Sequence, residues 1–320
     1  MKTLALSLCL CFLLLGCKKD LPLSPGETKK YAVTFKASDF SEEVTKFSKQ
    51  NVVSDVPLKG MATKFAYIVY DRNGNEVNHI RQESSGRATL YSEEVGYTPY
   101  ELGTQDFGTI RDSLPSGIYT VVMIATSNDL SINYRNDDSE YLFTPLQEAF
   151  FQFRRGLDPL PPRASDTFFK KFTITVGKTD LQQTVVLDRI VAKAEINILD
   201  AQPGMTFRIE FEDHEAYKFS TESSYANTFY DDVYFPEDNY DPNYNGPLGK
   251  KYSNLLLNTS SPMDIKIIYN GIEKVIEGVQ FYKNKRTILT GNFFTSNPTT
   301  LGFTATVNDE FDTDSTEVSF

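Results

Sequence analysis

The sequence predicts an all-β protein made of two tandem β-sandwiches. Three observations carry that reading. Apolar and polar residues alternate in short segments such as Tyr31-Ala-Val-Thr-Phe-Lys-Ala37 and Phe172-Thr-Ile-Thr-Val176. Asn-Gly pairs at Asn73-Gly74 and Asn270-Gly271 sit between such segments. A proline-rich break, Gly156 to Ser165, divides the chain into two strand-dense halves. Alternation puts every second side chain on one face, as a half-buried strand requires, and Asn-Gly suits the positive φ angles of a tight hairpin. Many short strands separated by turns favour sandwiches over βαβ units, and no short-period repeat points to a solenoid or propeller. At 320 residues and 40% hydrophobic, the chain is long enough for two domains and too apolar to remain disordered.

Taken in order, residues 1–16 are expected to be a lipoprotein signal peptide. Lys2 supplies a positive start, Leu4 to Leu15 an apolar run too short to span a bilayer, and Leu14-Leu-Gly-Cys17 has the order of a lipobox. The alternative is an ordinary signal peptide in which Cys17 falls by chance. With cleavage before Cys17, lipid is attached to its sulfur. Cys9 and Cys11 leave with the signal. The mature chain then has no thiol for a disulfide, a zinc site or nucleophilic catalysis. Several acyl chains on one cysteine anchor a protein stably to a membrane. Residues 17–30, with Pro22, Pro25 and Gly26, read as a tether.

Residues 31–160 form the expected N-terminal sandwich. Val33, Phe35 and Ala37 share one strand face. Phe65 to Val69 runs through the Asn73-Gly74 turn towards Val77. Leu114-Pro-Ser-Gly117 is a turn, and Ile118 to Ala125, continuously apolar, is expected in the middle of a sheet. Tyr141 to Arg155 is the predicted exception, a helix: Leu142, Leu146, Phe150 and Phe153 fall near helical spacing, and Thr144-Pro-Leu-Gln147 offers an N-cap, a first-turn proline and a capping-box Gln. Residues 161–320 form the expected C-terminal sandwich. Its strands are read at Phe172–Val176, in the β-rich stretch Thr184 to Leu199, and at Thr206 to Phe211 after Pro203-Gly204. Further strands follow at the Ile265 to Ile276 hairpin, Thr287 to Phe294, Phe303 to Val307 and Thr316 to Phe320.

Composition narrows the function. A net charge of −11 disfavours nucleic acid and anionic head groups as partners. The two histidines, His79 and His214, lack a catalytic sequence context and read as surface residues. No phosphate-binding glycine loop is present. Asp241, Asn243 and Asn245, followed by Gly246, match the first half of a calcium loop, but the twelfth position is Tyr252 rather than Glu and helical flanks are missing. This segment is expected to be a solvated loop, with Tyr230, Tyr234, Tyr240 and Tyr244 either pinning it or offering contact area. No catalytic residue, metal or cofactor is expected.

Three segments resemble the fimbrillins of the Bacteroidetes. Leu187-Asp-Arg-Ile-Val-Ala-Lys-Ala-Glu195 is similar to the family's L-x-R-x-V-A-K strand. Lys285-Arg-Thr287 to Phe294, followed by Phe303-Thr-Ala-Thr-Val-Asn308, resembles its closing pair of strands. Leu114-Pro-Ser-Gly-Ile-Tyr119 looks like its L-P-x-G-x-Y lead into a central strand. Their order and spacing carry the likeness. The resemblance implies two transthyretin-like sandwiches, a lipoprotein precursor, other fimbrial subunits as partners and a place on the outer membrane. It also implies that polymerising subunits lose an N-terminal strand by cleavage after an Arg, whereas anchor subunits keep it. Between Tyr31 and Tyr70 this chain has no Arg, only Lys36, Lys46, Lys49, Lys59 and Lys64. That departure favours a lipid-bound anchor. The tail Thr316, Glu317, Val318, Ser319 and Phe320 is a candidate donated strand, or else closes the second sandwich. A surface glycan-binding lipoprotein is the competing reading; the absence of Trp, the usual sugar platform, weighs against it.

Overall fold

The computed structural model describes residues 28–38, 58–92, 96–103, 107–127, 130–133, 143–153, 164–202, 205, 207–225, 233–236, 250–294 and 303–308. Among them the protein is almost entirely β. In chain order come β1 (Lys30–Ser38), the short helix α1 (Leu58–Met61), β2 (Lys64–Tyr70), β3 (Glu76–Glu83), β4 (Arg87–Ser92), β5 (Gly96–Glu101), β6 (Thr109–Pro115) and β7 (Gly117–Thr126). Next are β8 (Leu130–Ile132), β9 (Phe150–Phe153), β10 (Thr167–Val176), β11 (Leu181–Val186) and β12 (Asp188–Arg189). The rest comprises β13 (Ala192–Ile198), β14 (Arg208–Phe211), β15 (Ala216–Lys218), β16 (Ser223–Tyr225), β17 (Val233–Pro236), β18 (Lys250–Leu256), β19 (Met263–Tyr269), β20 (Ile272–Val279), β21 (Arg286–Gly291) and β22 (Phe303–Asn308).

The first sandwich packs a three-stranded sheet, β11-β1-β6, on a seven-stranded one, β12-β10-β7-β2-β3-β4-β5. The alternation of β1 places Val33, Phe35 and Ala37 in the space between them. Phe35 lies 5.7 Å from the Tyr67 ring and 5.8 Å edge-on from Phe172. As the continuous apolar run predicts, β7 is internal, between β10 and β2, and Val121 to Ala125 are all buried. The second sandwich packs β18-β13-β21-β22 on β17-β14-β19-β20. Its core includes Ile196, Ile209, Ile267, Leu289 and Phe293. The β19–β20 hairpin turns on Asn270 (φ 48°) and Gly271 (φ 80°). Two consecutive positive φ angles are what its Asn-Gly pair was suited to.

Three expectations are corrected. The stretch Tyr141 to Arg155 is not a helix where it is described. Pro145 closes one turn, its carbonyl accepting from the Glu148 and Ala149 amides at 2.8 and 2.9 Å, and Phe150 then starts β9. The turn is present, but Phe150–Phe153 exchanges helical bonds for pairing with β8 on one side and β15 on the other. The sandwiches do not change over at 160/161. Strand β10 pairs with β7 over its full length, and β11 pairs with β1, so the first sandwich extends to Arg189. The long β-rich stretch from Thr184 is three strands in three sheets: the end of β11, then β12, then β13.

A fifth sheet was not legible at all. Strands β16-β15-β9-β8 make a small sheet that takes two strands from each half of the chain. It covers the outer face of the seven-stranded sheet, where Ile68, Tyr70, Val122, Ile124 and Phe169 meet Phe151, Phe153, Tyr217 and Phe219. Phe151 stacks on Tyr217 at 5.6 Å, and Phe169 touches both Tyr217 (5.0 Å) and Phe219 (5.9 Å). Truncating a fully buried aromatic costs about 3–5 kcal/mol. Phe35→Ala and Phe151→Ala are each expected to lower unfolding stability by that amount in urea titrations. A loss below about 1 kcal/mol would mean that the site collapses around the smaller side chain.

Candidate functional site

The N-terminal strand β1 is built into the interior of the first sandwich rather than laid along its edge. β1 is the middle strand of its sheet. It runs antiparallel to β6 from Lys30 to Lys36 and parallel to β11 from Val33 to Ser38. Val33 and Phe35 are wholly buried. The Ala37 amide donates to the Gly108 carbonyl at 2.9 Å, and the Ala32 amide to Asp180 Oδ1 at 3.2 Å. Gly108 itself has a positive φ of 83°, and a β-carbon there would lie 2.6 Å from Leu58 Cδ2. Buried Gln82 fixes this corner, its Oε1 accepting from the Gly108 amide and its Nε2 donating to the Thr109 carbonyl, each at 2.8 Å. The strand is therefore held on both edges and by its core face.

The segment Leu187–Glu195 forms the junction between sandwiches. Leu187, Ile190, Val191 and Ala192 are buried. Arg189, also buried, forks onto Asp166 through Nε and Nη2 at 2.8 and 3.0 Å and lies over the Phe168 ring at 5.0 Å. Buried Glu195 meets Lys251 Nζ at 3.2 Å and Arg286 Nη1 at 3.5 Å. The residues that give the segment its family likeness thus seal a joint. They do not line a catalytic cleft.

The histidines depart from the surface reading. His79 is completely buried. Arg81 Nε donates to its Nε2 at 3.1 Å, so the ring is neutral with its proton on Nδ1, which faces Glu76 Oε1 at 3.4 Å. Burial, reinforced by the Arg81 charge, holds its pKa well below the usual histidine value. Glu76 in turn accepts from the Thr144 amide at 3.2 Å, tying the turn before β9 to β3. His214 is half-buried, with Nδ1 2.9 Å from Ser224 Oγ. A serine–histidine pair thus exists, but the adjacent carboxylate does not complete a triad. Asp213 Oδ1 takes the amides of His214, Leu257 and Asn258 at 2.8–2.9 Å. Isolated in sequence, both histidines concealed these partners; only Glu76 and Arg81, three and two residues from His79, were within reach of local inspection.

Cys17, the calcium-loop candidates Asp241, Asn243 and Asn245, and the tail Thr316–Phe320 lie outside the described residues. Among the described residues, no cluster of three or more His, Cys, Asp or Glu is arranged to hold a metal ion.

With this geometry in place, the class of protein is defined by fold: two sandwiches in tandem, coupled through a shared small sheet. No family profile and no curated protein matches the chain. Solved structures do. The chain is similar to a Bacteroides thetaiotaomicron protein proposed to bind polysaccharide, with TM-score 0.55 and 12% identity over 87% of this chain and 96% of that one. It is also similar to the fimbrial anchor protein Mfa2 from Porphyromonas gingivalis, with TM-score 0.54 and 9% identity over 88% of this chain and 98% of that one. At such identities the likeness is one of fold.

Asp213 offers a pH test of the joint between β14, β15 and β18. Desolvation raises its pKa to about 7, against the three backbone amides that favour the charged form. The unfolded carboxyl releases its proton near pH 4. Between about pH 4 and 7 the folded state therefore binds more protons, and stability declines as pH rises across that window. Asp213→Asn keeps an oxygen for the amides and removes the ionisation. Its melting temperature relative to the parent should rise from pH 4 to 7 and then level off. A pH-independent difference would contradict the assignment.

Proposed function

We propose that this chain is a lipid-anchored accessory subunit of fimbriae, displayed at the outer membrane, with the role of an anchor rather than of a polymerising stalk subunit. The observation that carries this reading is β1: a strand paired on both edges, with Val33 and Phe35 in the core, in a segment that contains no Arg between Tyr31 and Tyr70. A subunit of this architecture that receives a neighbour's strand must first vacate a groove. Here vacating it requires breaking two ladders and a core, with no arginine at which to cut. The fold shared with a fimbrial anchor protein supports the same reading. So does the lipobox ending in Cys17. The role is structural, and no enzymatic step is assigned.

Cys17→Ala is expected to move the protein from the membrane to the soluble fraction; continued membrane partitioning would refute lipid anchoring. In an anchor that keeps β1, attachment to the fibre falls to another segment, and the apolar tail Val318 and Phe320 is the one to test. Deleting Glu317–Phe320 is expected to leave a folded, membrane-bound protein that no longer retains fibres on the cell. Unchanged fibre attachment, or loss of folding, would rule out the tail as a donated strand.

A further inference from the structure

The small bridging sheet covers the outer face of the seven-stranded sheet over β10, β7 and β2. The same face continues across β3, β4 and β5. Register places His79 opposite Tyr91, Arg81 opposite Thr89, Thr89 opposite Pro99 and Tyr91 opposite Tyr97, so all of these side chains share that face. A cleft of about 630 Å³ opens there, bounded at its inner end by Ile124 and Ile132 and along its length by Arg81, Tyr91 and Tyr97. That volume lies in the usual range for small-molecule sites.

Tyr91 is fixed in place. The His79 ring lies 5.1 Å from it, and the Arg81 guanidinium lies over its face at 5.1 Å. Tyr97 is held edge-on to Tyr91 at 5.7 Å, yet it is 62% exposed. The core does not require this orientation, and a large ring left in water forgoes the gain of burial. What the arrangement provides is a flat aromatic platform beside planar polar groups. Charge along the cleft is largely cancelled: Glu83 meets Lys64 at 2.9 Å and Arg87 at 3.4 Å, and Arg87 stands opposite Glu101 in register. Such a site has little to offer an ion.

Strand addition at the neighbouring edge is also opposed. The Leu102 amide donates to the Gly86 carbonyl, so residues 100, 98 and 96 of β5 turn their backbone groups towards β4, and residues 101, 99 and 97 turn theirs to the open edge. Position 99 is proline, with no N–H to give. A proline at that position blunts the edge against an added peptide.

The geometry points to a saccharide site: Tyr97 stacks the apolar face of a neutral hexose unit, while Arg81, Arg87 and Glu101 hydrogen-bond its hydroxyls. Apolar C–H faces and equatorial hydroxyls match an aromatic platform ringed by planar donors and acceptors. The inference is independent of the anchoring role. It concerns what the displayed protein holds, whichever way it is attached.

The test is affinity electrophoresis of the full chain, purified in detergent, through native gels cast with a β-glucan, an α-mannan, a galactan or, as an anionic comparison, polygalacturonate. Retardation by at least one neutral polymer is expected. Tyr97→Ala should weaken it roughly tenfold, and Tyr97→Phe, which keeps the ring, should retain most of it. Because Tyr97 is largely exposed, circular dichroism and melting of both variants should match the parent. Three results would overturn the assignment: no retardation by any neutral polymer, retardation only by polygalacturonate, or unchanged retardation in Tyr97→Ala.

Discussion

Strand β2, the Val121–Thr126 part of β7 and the Thr167–Phe169 part of β10 have almost no solvent face, and the rest of the architecture follows from that. In β2 every residue from Phe65 to Tyr70 is buried. One set of side chains, Phe65, Tyr67 and Val69, meets β1 and β6. The other, Ala66, Ile68 and Tyr70, needs a second cover. Apolar area on both faces of a sheet is stabilising only if both are taken out of water. The cover is a sheet that neither half of the chain can make alone, since Phe150–Gln152 comes from the first and Ala216–Lys218 from the second. The two sandwiches are therefore coupled by sheet pairing as well as by the linker. Separating them leaves Ile68, Val122, Ile124 and Phe169 bare.

The linker is built to match. Within nine residues, Leu187 to Glu195, the chain leaves one sheet, touches a second and starts a third. Apolar side chains fill the joint, and the two buried charges are each matched. A buried charge costs several kcal/mol to desolvate, and removing its partner is more damaging than never having had the pair. Arg189 with Asp166, and Glu195 with Lys251 and Arg286, thus fix which surfaces meet. This geometric demand accounts for a recognisable sequence pattern in a protein to which no catalytic residue is assigned.

What could be read from the sequence was local. Alternation located β1 and β10, and the Asn-Gly pair located the β19–β20 hairpin, because those signals act over a few residues. Partner choice was not local. Nothing near Phe150 announces that it pairs with Lys218, or that β1 would be flanked by β11 some 150 positions on. The helix expected at Tyr141–Arg155 failed for that reason: Thr144 and Pro145 do start a turn, and tertiary pairing overrides its continuation. Prolines between Gly156 and Ser165 mark a connection, but connections within a sandwich and between sandwiches have the same chemistry. His79 looked like a surface residue because burial of a lone histidine depends on Glu76, Arg81 and Tyr91 gathering around it. The cleft on β3–β5 was hidden in the same way: Tyr91 and Tyr97 become one platform only through strand register.

The position of β1 also bears on force. Under the proposed anchoring role, load would enter the fold at Lys30, the first residue of β1. The strand is then pulled along its own axis. Its neighbours β6 and β11 lie on either side, and the ladders on both edges are loaded in shear, all their hydrogen bonds at once rather than one after another. Forced unfolding is governed by the barrier to leaving the native state rather than by equilibrium stability. Shear across two ladders, with Val33 and Phe35 keyed into the core, raises that barrier in the direction an anchor is pulled. An edge strand peeled from one neighbour would give way bond by bond. A central N-terminal strand thus gives mechanical hold against a pull along its own axis. Release of β1 from both neighbours is what this geometry opposes.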